Sequence, residues 1–219
     1  MGKQGMENFG SYRGKLGNTY GRKVHGVALN ALMPTPRGNK NATEEMRDIQ
    51  LRFKTLAQMA SAFLATIVIG LKTRAKAIGP LVSQFDAFIK DNWGAATAQG
   101  GVVEVQYGNI KIAEGNLPEV GFGSANFEEP LHVSVNFTPN SDAPGANASD
   151  EVRLVVYEPI SNKTVMSAPV KRSIGTIEMA LPSIWSGMTV HVYGFTVGAS
   201  TTNKGIVSDG SYIGTGNVG

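Results

Sequence analysis

Near residue 100 the apolar residues of this 219-residue chain change their spacing. Before that point Ile49, Phe53, Leu56, Ala60, Phe63, Ile67 and Leu71 follow one another in steps of four and three, the repeat of a single helix face. Beyond it, in "LHVSVNF" (residues 131–137), Leu131, Val133, Val135 and Phe137 alternate with His132, Ser134 and Asn136, the mark of a strand with one buried face. A chain that passes once from the helical period to the strand period keeps its helices and strands apart. The expected class is therefore α+β.

The helical part starts where Asn41 with Glu44, or Thr43 alone, caps the chain, and Glu44 and Glu45 suit the positive end of the helix dipole. One helix of about 30 residues, about 45 Å long, is expected to follow. Gly79-Pro80 breaks it, and Pro80 suits the first position of a second helix carrying Leu81, Phe85, Phe88, Ile89 and Trp93 on one face. The two helices form a hairpin. Because the first is about twice the length of the second, part of its seam needs another partner. Ile49, Phe53, Leu56, Phe63 and Ile67 are the expected oligomer interface. The uncharged run "TLAQMASAFLATIVIGL" (55–71) only reaches the lower limit of a membrane span and contains Gln58, Ser61 and Thr66, so a buried helix is expected, not a membrane segment.

From residue 100 onward the strand candidates are "VVEVQY", "LHVSVNF", "VRLVVYEP", "SIGTIEMAL", "MTVHVYGFTV" and "GIVSDGSYI", separated by Gly, Pro, Asn and Asp clusters. Their number and spacing predict an antiparallel sandwich of immunoglobulin-like size over 100–219, without the cysteine pair of antibody domains.

The opening differs from both parts. "GSYRGKLGNTYGRKVHG" (10–26) interleaves glycines with cations, and Gly17-Asn18 is a two-residue hairpin signal between "YRGKL" and "TYGRKV". "MPTPRGNKN" (33–41) then reads as an exposed linker. The expected organisation is a basic arm and hairpin over 1–41, a helical hairpin over 42–99 and the sandwich over 100–219. Residues 1–77 hold 13 Lys/Arg against 4 Asp/Glu, and the remainder 7 against 13, so a basic front and an acidic back lie inside a net charge of +3. Such polarity suits polyanion binding, or front-to-back pairing of copies. Tyr12, Arg13, Lys15, Tyr20, Arg22 and Lys23 are the candidate contacts with a protein partner or nucleic acid.

Little in the chain points to catalysis. Cysteine is absent, which removes thiolate nucleophiles and zinc-thiolate sites. The glycine series fails the phosphate-loop pattern, because Gly10 and Gly14-Lys15 stand one residue too close and Leu16 occupies the hydroxyl position. His25, His132 and His191 have no ligand spacing. The expectation is a protein that is not an enzyme, with no cofactor, metal or small-molecule substrate. "MGKQGMENFGSYRGK" shows no apolar core behind its first charge, so cytoplasmic synthesis without a signal peptide is expected.

The blocks "GKLGNTYGRKVHG", Thr43 to Phe53, "LVVYEP", "VHVYGF" and "SDGSYIG", in that order, resemble a family of proteins of unknown function from Bacteroidota. Met46 and Gln50 stand where glutamine and arginine are the family's pattern. The resemblance implies a shared fold and a Bacteroidota or associated-phage source, and brings no catalytic residues. The functional expectation is a self-assembling structural subunit, a homo-oligomer of the virion or filament kind. A nucleic-acid-binding module using the basic hairpin is the alternative, and a cell-surface sandwich a third.

Overall fold

The computed structural model describes residues 14–16, 19–24, 27–32 and 42–219. Its contacts divide the chain into two compact units, Met1–Thr43 and Glu44–Gly219.

In the first unit β1 (Gly14–Leu16), β2 (Thr19–Val24) and β3 (Val27–Leu32) form an antiparallel sheet in the order β1-β2-β3. Leu16 pairs with Thr19, which leaves the two residues Gly17 and Asn18 as the connection. The type of turn made by that Gly-Asn pair lies outside the described residues. The third strand, "VALNAL", adds to the two of the expected hairpin.

The second unit is α+β. It begins with α1 (Glu44–Ala62), α2 (Leu64–Gly70), α3 (Lys72–Ile78) and α4 (Gln84–Asp91). A small hairpin of β4 (Ala96–Gln99) and β5 (Val102–Val105) follows. Next come β6 (Gly121–Asn126), β7 (His132–Thr138), β8 (Glu151–Glu158), β9 (Lys163–Met166), β10 (Val170–Lys171), β11 (Thr176–Ala180), β12 (Thr189–Val197) and β13 (Ser211–Asn217). They make a three-stranded sheet, β11-β7-β6, and a five-stranded sheet, β10-β8-β12-β13 with β9 also on β8. All pairings are antiparallel.

The five-stranded sheet is the middle layer. Val152, Leu154 and Val156 of β8, with Val190 and Val192 of β12, share a core with Val133, Val135, Phe137, Ile177 and Met179 of the smaller sheet. The alternate residues Val155, Tyr157, Tyr193 and Phe195 share a second core with Leu56, Phe63, Ile67, Leu71 and Phe88 of the helices. The period-two geometry of a strand allows this, sending successive side chains to opposite faces. Residues 44–219 thus pack as one unit, helices and strands together.

The single long helix expected over the seam is corrected. The axis turns by 82° between α1 and α2. No proline marks the break; Phe63 (φ −79°, ψ 7°) and Leu71 (φ −107°, ψ 13°) leave helical geometry. Past the bend, Ile67 and Leu71 are both completely buried. Gly70 permits the approach that follows, since a Cβ there would stand 2.4 Å from the Ile112 carbonyl oxygen. Pro80 is also not the start of the next helix. Ser83 is the N-cap of α4, its Oγ accepting from the Asp86 N–H at 3.1 Å while the Asp86 carboxylate accepts from the Ser83 N–H at 3.1 Å. Among the described residues no single helix is long and apolar enough to cross a membrane.

Candidate functional site

The basic contacts expected at the front fall in the first unit. Tyr12 and Arg13 lie outside the described residues. Lys15 is on β1, directly paired with Tyr20 on β2, while Arg22 and Lys23 pair with Leu29 and Ala28 on β3. The sheet therefore gathers four of the six expected positions on two neighbouring strands.

The expected oligomer interface divides in two. Leu56, Phe63 and Ile67 are fully buried in the chain's own core, so they are not available to a second copy. Phe63 packs against the rings of Tyr157 (5.0 Å between centroids), Tyr193 (5.7 Å) and Phe88 (5.8 Å). Ile49 and Phe53 are different, with 56% and 51% of their surface exposed. They continue the same stripe toward the start of α1, beyond the reach of the core. One flank of this stretch is occupied: Asp48 accepts from the N–H groups of Gly100 (3.1 Å) and Gly101 (3.0 Å). Arg52 lies over the Trp93 ring at 4.2 Å and donates to the Trp93 carbonyl. The β4–β5 hairpin is thereby fixed to the helix, and Ile49 and Phe53 remain on the surface.

An open cleft of about 730 Å³ lies where α3 meets two loops, lined by Thr73, Arg74, Lys111, Glu114, Asn116 and Asp209 among others. Close backbone contact builds it: a Cβ on Gly115 would stand 2.1 Å from the Val207 carbonyl oxygen, and the Gly115 N–H donates to Asp209 at 3.0 Å. Arg74 donates from Nε and Nη2 to the two oxygens of Asp91, both at 2.8 Å, and its Nη1 is 3.4 Å from Glu114. The hydrogen-bonded Asp91 holds this guanidinium firmly charged, above its ordinary value. Its donors are thus spent on neighbouring carboxylates.

An aromatic stack sits at the edge of the middle sheet. The His191 ring lies on Tyr107 at 4.0 Å, and its Nδ1 is 3.0 Å from the Tyr212 hydroxyl. Tyr193 donates its hydroxyl to the Tyr107 carbonyl at 2.9 Å. Burial lowers the affinity of His191 for a proton and raises the Tyr107, Tyr193 and Tyr212 hydroxyls above their ordinary value, so every member is neutral at pH 7. No local pattern marks this stack or the cleft, because their members come from separate elements. His132 is 3.8 Å from Glu129. Among the described residues no group of three or more His, Cys, Asp or Glu is placed to hold a metal.

The molecule is thus an α+β protein with two facing sheets beneath a helical layer, preceded by a small basic sheet. The chain belongs to DUF6266, a family of unknown function whose model matches residues 11–214. No curated protein matches it.

Proposed function

We propose that this chain is a non-enzymatic structural subunit that assembles with copies of itself through its N-terminal strands and the start of α1, as a coat, tail or filament component of a phage-like particle. The observation that carries the reading is the exposed pair Ile49 and Phe53 on a stripe that is otherwise core. Completing their burial stabilises a contact by roughly 1 kcal/mol each, at about 25 cal/mol per Å². The first unit adds support, since strands of three, six and six residues make a sheet that gains stability by covering a face.

The remaining strands are read as an immunoglobulin-like sandwich. In support, β6, β7 and β11 share one sheet while β8, β9, β10, β12 and β13 share the other, so the chain crosses between sheets after β7, after β10 and after β11. A β-tile with an arm is a suitable unit for repeated assembly.

Size-exclusion chromatography with light scattering tests the reading. The wild type is expected as multiples of 23.2 kDa, and Ile49→Asp with Phe53→Asp is expected to lower the mass while keeping the circular dichroism spectrum. A double variant that assembles like the wild type rules out the helix start as a contact. The basic front favours a second reading, nucleic-acid binding through Lys15, Tyr20, Arg22 and Lys23. It requires oligonucleotide affinity that falls steeply with salt, and absence of binding at low salt removes it.

A further inference from the structure

We infer that copies join edge to edge, with β1 of one copy adding to β11 of the next so that Lys15 stands opposite Glu178. This inference rests on the assembly reading and names its contact.

The geometry starts with β11, an outer strand of its sheet whose only strand partner among the described residues is β7. Phe137 N–H donates to the Gly175 carbonyl (2.8 Å) and Leu181 N–H to the Leu131 carbonyl (2.7 Å). With Ile177 opposite Val135 and Met179 opposite Val133, residues 175, 177, 179 and 181 bond to β7. The N–H and C=O groups of Thr176, Glu178 and Ala180 therefore point away from the sheet, and all three residues are exposed. This is an open edge, a template for another strand.

Its charge selects what can dock. Glu178 is the central residue of β11. Two β11 edges pairing antiparallel about their centres would place Glu178 against Glu178, and like charges directly opposite are unfavourable. Glu128, Glu129 and His132 line a groove of about 90 Å³ together with Glu178. Neither Glu128 nor Glu178 has a cationic partner among the described residues. The edge thus rejects a copy of itself and suits a basic strand.

The first unit supplies such a strand. Among the described residues β1 is an outer strand, with Lys15 at its centre. Across a two-residue connection the closing pair, here Leu16 and Thr19, is the bonded one. Alternation then turns the backbone N–H and C=O of Lys15 outward. Two short edges, each with outward backbone groups at its central residue and with opposite charges there, are complementary. The contact joins two different surfaces, so it propagates into a ring or an open filament.

Cysteine trapping tests this directly, because the chain has no cysteine of its own. A mixture of Lys15→Cys and Glu178→Cys proteins, oxidised mildly, is expected to yield a disulfide-linked heterodimer, with neither protein cross-linking alone. A single chain carrying both substitutions is expected to give a ladder of covalent multimers on a non-reducing gel. Independently, Lys15→Glu is expected to weaken association about tenfold, and Glu178→Lys in the same chain to restore it. A monomer bridged within itself, or a wild type that assembles without the heterodimer ever forming, overturns the edge contact and leaves the assembly reading intact. A wild type that stays at 23.2 kDa overturns that reading as well.

Discussion

Replacing Phe63 with alanine separates a core residue from an interface residue. Phe63 is fully buried, and three rings from α4, β8 and β12 surround it at 5.0 to 5.8 Å. Removing its ring from water contributes about 1.5–3 kcal/mol to the fold. Each aromatic pair adds about 0.5–1.5 kcal/mol, and the cavity left behind is an added cost. Truncations of this kind cost about 3–5 kcal/mol. For a unit of this size that is a fall of roughly 10 °C in melting temperature. Urea unfolding, followed by circular dichroism at two protein concentrations tenfold apart, reads the effect. The expected result is the same loss at both concentrations, because the contacts are internal. A variant as stable as the wild type but smaller in mass would refute the placement of Phe63.

Gly70→Ala puts a Cβ 2.4 Å from the Ile112 carbonyl oxygen and 2.8 Å from the Ala113 Cβ, and is expected to cost about 1–3 kcal/mol; an unchanged urea midpoint would contradict the close approach. Asp150→Ala leaves the fully buried Arg172 guanidinium, among the described residues, with the Pro118 (2.6 Å) and Pro139 (2.9 Å) carbonyls but no carboxylate, an expected loss of about 3–5 kcal/mol in thermal unfolding. Burial holds His191 below its ordinary value of 6.5, so the unfolded chain takes up the proton first. The stability this group contributes is present above about pH 6.5 and is lost as the pH falls through its folded value. His191→Phe is expected to flatten the decline below about pH 6.5, and an NMR titration placing the ring above 6.5 would overturn the argument.

What the sequence revealed depended on whether an element has a wet face. β7 was legible because Val133, Val135 and Phe137 face a core while Ser134 and Asn136 do not. β8 and β12 were legible as strands from their candidate stretches, but without a strict alternation, since they lie between two cores and bury both faces. β6, "GFGSAN", gave no signal because its register shifts between Phe122 and Ala125 and glycine carries no alternation. The seam from Ile49 to Leu71 was correctly periodic, yet periodicity does not report a bend. The 82° turn at Phe63 follows from the rings it meets, which come from residues 25 to 130 positions further along the chain. For the same reason Leu56, Phe63 and Ile67 belonged to the core, and only Ile49 and Phe53 stayed outside. The cleft and the His191 stack are long-range assemblies with no local pattern to read.

Sedimentation velocity of the intact chain over a hundredfold range of concentration bears most directly on self-assembly. The account predicts boundaries faster than a 23.2 kDa particle, growing with concentration and retreating at high salt as the opposed charges are screened. One slow boundary of that mass at every concentration and ionic strength would contradict it.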